Sequence, residues 1–163
     1  MTLTKLLSGL RVIDLTRNLP GPFSTRMLAD LGAEVVKVEP PEGDPGRGLP
    51  PLFEALNQGK ENRRIDFKQE ADLAQLRDWL ATADVMVDSF RPGVLAALGL
   101  DVTTLHARNP RLVMVSITGY GQTGPWANKA GHDLNFMAMS GVLDQVRATD
   151  GTLALSNVQW GDL

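Results

Sequence analysis

The sequence contains no cysteine, which excludes disulfides, thiolate metal sites and cysteine nucleophiles. Histidine occurs only at His106 and His132, so imidazole chemistry has two candidates at most. No run of Lys or Arg stands out and the net charge is −3, so an electrostatically driven nucleic-acid binder is not expected. No apolar stretch approaches the roughly 18–20 residues that cross a bilayer. Met1 to Leu7 is too short and too weakly apolar for a secretory signal, so the expected compartment is the cytoplasm, with no membrane partner. The glycine signatures of dinucleotide and phosphate loops, G-x-G-x-x-G and G-x-x-x-x-G-K-[ST], are also missing.

What remains is the balance of a globular chain: 43% hydrophobic and 21% charged over 163 residues. That is enough for one domain, 1–163, with a real core. Leu10-Arg11-Val12-Ile13-Asp14-Leu15 is short, apolar and β-branched, and reads as a buried strand. Asn18-Leu19-Pro20-Gly21-Pro22 breaks it, and Pro22 suits the first position of a helix to about Leu31. Phe23, Met27, Leu28 and Leu31 share one face of that helix, and Gly32 should stop it. Val35-Val36-Lys37-Val38 then gives a second strand, completing a parallel βαβ unit.

Residues 40–51, with five prolines and three glycines, read as loop. Further strands are expected at Arg64–Phe67, Val85–Val87 and Leu112–Ile117, with helical spacing at Leu73, Leu76 and Leu80, up to Leu98, and around Leu105. The repeated alternation implies an α/β fold, an open, doubly wound, mostly parallel Rossmann-like sheet. Near the end, helical spacing runs from Gly131 through Leu134, Met137, Ala138, Gly141 and Val142, and a turn follows at Asp150-Gly151.

Ligands of such sheets gather outside the carboxyl ends of the strands. The Thr16–Pro22 loop lies there, and serves either a ligand or simply the aiming of a helix. Basic residues Lys60, Arg63, Arg64 and Arg91 fall in loops beside strands, where they either meet an anion or sit in solvent. The glycines at 119–124 allow either close backbone approach to a ligand or a tight connection. His106 reads as structure. His132, between Gly131 and Asp133 at a helix start, reads as a cap, a packed side chain or a catalyst.

Several segments in order resemble the family III CoA-transferases, a superfamily that also holds the α-methylacyl-CoA racemases. They are Leu7 to Thr16, Pro20-Gly21-Pro22-Phe23, Leu28 to Ala33, Val36 to Pro40, Asn57-Gln58-Gly59-Lys60, Phe90 to Val94, Asn109 to Val113 and Gly119 to Pro125. Gly131-His132-Asp133-Leu134-Asn135-Phe136 resembles the racemase branch in particular, and Asp162 falls where both branches carry a catalytic aspartate. The resemblance implies an acyl-CoA racemase of 2-methyl-branched thioesters, with His132 and Asp162 as the two bases. It implies coenzyme A as part of the substrate, without a metal or redox cofactor. In the transferase or carnitine-dehydratase-like branch, Asp162 would carry a covalent intermediate instead.

The resemblance also implies that Arg64, Ile65, Asp66, Phe67 and Arg91 line the CoA site, together with Gly131, Asp133, Leu134, Asn135 and Phe136. Gln58, Glu61, Asn62 and Pro40 depart from the more basic family pattern, so weaker CoA binding is expected. Family members form interlocked homodimers and are much longer. The chain is therefore expected to be an N-terminal portion ending just past the aspartate, with the C-terminal part of the family fold missing. A catalytically inactive CoA-binding fragment is the further alternative.

Overall fold

The computed structural model describes residues 5–163, so Met1 to Thr4 at the start of the segment tested for a secretory signal lie outside it. The chain forms two compact units, Met1–Thr118 and Gly119–Leu163. No described helix is long and apolar enough to cross a membrane.

The first unit is α/β. Strand β1 (Arg11–Leu15), helix α1 (Pro20–Asp30) and strand β2 (Glu34–Glu39) form the expected βαβ. A 3-10 turn (Pro45–Gly48), helix α2 (Pro50–Asn57), strand β3 (Glu61–Arg64) and helix α3 (Glu70–Leu80) follow. Strand β4 (Val85–Asp88), helices α4 (Val94–Ala97) and α5 (Val102–Arg108) and strand β5 (Val113–Ser116) complete it. All five strands are parallel, in the order β3-β2-β1-β4-β5. The central strand is buried on both faces, as crossover helices require. Ile13 and Leu15 join Val36, Met86, Leu73, Leu76 and Leu80 on one side, while Val12 packs with Val35, Val87 and Leu28 on the other.

Three expectations shift. Helix α1 starts at Pro20 rather than Pro22, because the Phe23 N–H already closes a turn on the Leu19 carbonyl at 2.9 Å. Its buried face is Gly21, Pro22 and Thr25, whereas Phe23 and Met27 are exposed. The reason is polar: the Thr25 hydroxyl donates to Asp14 Oδ2 at 2.6 Å inside the sheet. The 40–51 stretch is not all loop, since Pro50 and Pro51 open α2, where a missing N–H does no harm. The third strand spans Glu61–Arg64, ahead of the apolar residues, because its register is set by pairing with Val36 to Glu39.

Beneath the β1–α1 loop lie two buried ion pairs. Lys60 Nζ reaches Asp14 Oδ2 at 3.0 Å, the Pro22 carbonyl at 2.8 Å, Thr25 Oγ1 at 2.8 Å and Asn57 Oδ1 at 3.0 Å. Lys37 Nζ donates to Asp44 Oδ2 at 2.8 Å and to the Thr16 carbonyl at 2.9 Å. Burial pulls the Lys60 ammonium below the ordinary lysine range despite the attraction of Asp14. The two lysines thus hold the loop at both ends, Thr16 and Pro22. Lys60, one of the basic residues assigned above to an anion or to solvent, is engaged inside the fold.

In the second unit, α6 (Asp133–Met139) and α7 (Val142–Gln145) replace one continuous helix. The break falls at Gly141, whose φ of +79° only glycine adopts easily. A turn at Asp150-Gly151 closes an antiparallel bridge between Arg147 and Leu153.

Removing one partner of a buried ion pair leaves the other uncompensated. Lys60→Met is therefore expected to lower unfolding free energy by about 3–5 kcal/mol, read as a fall in denaturant midpoint at unchanged slope. Adding Asp14→Asn should recover part of the loss. A Lys60→Met midpoint equal to that of the parent chain would contradict the assignment.

Candidate active site

The second unit brings His132 and Asp162 into one neighbourhood. His132 is the residue before α6, and its backbone N–H donates to Asn135 Oδ1 at 3.0 Å. The imidazole is exposed. Asp133 is buried, and its Oδ1 accepts the Gly161 N–H at 2.6 Å. This bond ties the 160–163 segment to the start of α6, and Asp162 lies within electrostatic reach of Asp133 and His132.

Glycines permit the close approach. A β-carbon on Gly161 would lie 3.1 Å from the Asp133 carboxylate and carbonyl oxygens, and one on Gly131 would lie 2.7 Å from the Phe136 ring. Tyr120 packs edge-on to Phe136 at 5.6 Å and to Trp126 at 5.4 Å, which seats the glycine-rich 119–124 segment against α6. Those glycines therefore make at least a tight connection.

Burial raises the Asp162 carboxyl above the ordinary aspartate range. The Asp133 charge raises it further, and His132 opposes the shift. A carboxyl so placed keeps its proton to higher pH, as a proton donor must. The sign for stability follows: between the unfolded value and the raised folded value the native state holds the extra proton, so stability falls as pH rises through that window. Leu134 and Asn135 are exposed on α6, and Phe136 is half-buried.

The other expected CoA residues belong to the first unit. Arg64 is exposed at the carboxyl end of β3, while Arg63 pairs with Glu61. Ile65 is fully buried, its side chain in the core and its N–H on the Glu39 carbonyl at 2.9 Å. Asp66 Oδ1 accepts the Lys68 N–H at 2.9 Å, and the Asp66 N–H donates to Asp72 at 2.7 Å. Phe67 meets the Phe90 ring edge-on at 5.7 Å, which links the loops after β3 and β4. Arg91 is exposed in the loop after β4. Pro40 is buried.

Sequence reasoning missed two polar groups at the carboxyl ends of β4 and β5. Asp88 is buried and accepts the Ser116 hydroxyl at 2.6 Å and the Phe90 N–H at 3.0 Å. Burial raises its carboxyl above the ordinary range, against those two donors. An Asp closing an apolar strand, as in Val85-Met86-Val87-Asp88, was the available signal. Among the described residues no cluster of three or more His, Asp or Glu side chains could hold a metal ion.

The chain belongs to CoA-transferase family III, whose profile matches residues 7–163. It is 41% identical over 172 residues to the succinate–glutarate CoA-transferase of Agrobacterium fabrum, covering 96% of this chain and 43% of that protein. It is 40% identical over 141 residues to the α-methylacyl-CoA racemase of Mus musculus, covering 86% of this chain and 35% of that protein. The crystal structure of a CaiB/BaiF family protein from Brucella suis superposes with a TM-score of 0.93 at 39% identity, covering 98% of this chain and 46% of that one. The chain therefore spans less than half the length of these relatives.

Asp133→Asn keeps an acceptor for the Gly161 N–H and removes the neighbouring charge. It is expected to lower the Asp162 pKa toward the ordinary range, followed by carbon-detected NMR titration of the side-chain carboxyls. An unchanged Asp162 titration would refute the electrostatic coupling.

Proposed function

We propose that the protein catalyses 1,1-proton transfer at the α-carbon of a 2-methyl-branched acyl-CoA thioester, interconverting its epimers. The observation that supports this reading is that Asp162 lies within electrostatic reach of His132 and Asp133 at the start of α6, with burial raising its carboxyl above the ordinary aspartate range. A thioester acidifies its α-carbon, and inversion needs one group to take the proton and another to return it from the opposite face. A neutral imidazole accepts, and a carboxyl with a raised pKa donates. In the reverse direction the roles exchange: the Asp162 carboxylate accepts and the imidazolium donates. Fixed donors around the thioester oxygen would stabilise the enolate between the two transfers. Arg64, Asp66, Phe67 and Arg91, with Gly131 and Asp133 to Phe136, are the residues proposed to hold the CoA portion.

A second reading is favoured by the Agrobacterium relative, which is named for CoA transfer and is of comparable identity. There the Asp162 carboxylate attacks the thioester carbonyl and expels CoA thiolate to form a mixed anhydride; the thiolate then attacks the aspartyl carbonyl, releasing the donor acid as its carboxylate and leaving CoA on Asp162 as a thioester for the acceptor acid.

The protein is incubated with a 2-methylacyl-CoA in deuterated water. Deuterium is expected at the α-carbon, and His132→Ala and Asp162→Ala should each slow epimerisation by about 10²–10⁴-fold, the usual worth of a general acid or base. No uptake, or undiminished epimerisation in both variants, would reject the proposal. CoA exchange into a free carboxylate, with a hydroxylamine-sensitive adduct on Asp162, would establish transfer instead.

A further inference from the structure

The strand order β3-β2-β1-β4-β5 reverses direction between β1 and β4, and in open parallel sheets such a reversal opens a ligand crevice at the strands' carboxyl ends. Asp88 is the last residue of β4, paired with Leu15 of β1 on one side and with Ser116 of β5 on the other. It is 1% exposed. The other buried carboxylates of the first unit, Asp14, Glu39 and Asp44, each face a lysine or an arginine. None of the ion pairs among the described residues involves Asp88. A buried carboxylate without a cation is costly, and the framework does not need this one for charge balance.

Two neutral donors serve it instead. The Phe90 N–H donates to Asp88 Oδ1 at 3.0 Å, and the Ser116 hydroxyl donates to Oδ2 at 2.6 Å. The first bond closes a turn over Asp88-Ser89-Phe90. The second fixes the carboxylate from the neighbouring strand. Hydrogen bonds to an ionised acceptor are stronger than those to a neutral one, so the turn is held more firmly than an amide would hold it. Both side chains of the turn then reach other loops. Ser89 Oγ accepts the Arg17 N–H from the loop after β1 at 3.0 Å. The Phe90 ring meets Phe67, in the loop after β3, edge-on at 5.7 Å, and the Arg17 guanidinium carbon lies 5.7 Å from its centre. Loops from β1, β3 and β4 thus converge on one ring, and the backbone beneath that ring is set by Asp88.

We propose that Asp88 is a positioning residue of the acyl-CoA site: oriented by Ser116, it fixes the turn that presents Phe90 and Arg91 and so holds the three loops together before the ligand arrives. The inference rests on the reading of Phe67 and Arg91 as residues that hold CoA.

Calorimetric titration of the full chain with CoA compares Asp88→Ala and Asp88→Asn with Leu105→Ala, a core truncation in α5 that lowers the denaturant midpoint without touching the turn. Asp88→Ala is expected to bind CoA about tenfold more weakly, because the loops must then be ordered on binding. Asp88→Asn keeps an acceptor for the Phe90 N–H and offers a donor to Ser116 Oγ, and should restore the affinity to within about threefold of the parent. Leu105→Ala should stay within about twofold. If the alanine variant fails to fold, Ser116→Ala takes its place, removing the hydroxyl that orients the carboxylate; a loss of about threefold is expected. Parent-like affinity in Asp88→Ala, or in Ser116→Ala standing for it, overturns the proposal. So does an asparagine variant as weak as the alanine one, or an equal loss in Leu105→Ala. No CoA binding by the parent chain removes the CoA reading and this inference with it, whereas CoA binding that is indifferent to Asp88 removes this inference alone.

Discussion

In the interior of the first unit, the Asp14 carboxylate and the Lys60 ammonium face each other with no access to water. A pair so buried is stable only when its remaining donors and acceptors are also satisfied. Here Asp14 takes the Thr16 N–H, the Thr16 hydroxyl and the Thr25 hydroxyl, while Lys60 takes two carbonyl-type oxygens and the Thr25 oxygen. Each of those partners belongs to the loop after β1, the first turns of α1 or the end of α2. One electrostatic contact therefore decides where three separate stretches of chain meet. The loop it secures has its backbone shape set before any ligand arrives, which reduces the ordering that binding would otherwise require.

The second unit reaches a comparable end by other means. Its anchor is a single carboxylate-to-backbone bond, Asp133 to Gly161, supported by the Tyr120–Trp126–Phe136 cluster. Placing two aspartates next to each other is unfavourable when both are charged. That repulsion adds to burial in holding the Asp162 proton. Structure and proton affinity are thus coupled through Asp133, which serves as tether and as electrostatic neighbour at once.

The apolar skeleton was readable from the residues, because Ile13, Met86, Leu73, Leu76 and Leu80 carry periodicities that only strand or helix burial explains. Family likeness singled out His132 and Asp162 as candidates, through residue order rather than through anything local to either side chain. What escaped was the polar interior. Lys37, Lys60, Asp14 and Glu39 look like surface charges in a linear reading, and their burial depends on partners as many as 46 positions away. Helix α1 shows the same blindness at closer range. Hydrophobicity pointed to Phe23 and Met27 as the inner face, yet a threonine hydroxyl seeking Asp14 turned the helix instead. Helix α2 was hidden by prolines that read as breakers but sit where a helix begins.

The buried lysines have one further chemical consequence. Acyl-CoA thioesters acylate free amines without any enzyme, and an amine with a depressed pKa is the most exposed to that reaction in water. Burial depresses the Lys60 pKa. Yet its nitrogen, like that of Lys37, is enclosed and fully engaged by oxygen atoms, whereas Lys5, Lys68 and Lys129 lie at the surface. Accidental acylation by such a thioester would therefore fall on surface amines rather than on the two that hold the loop after β1 in place.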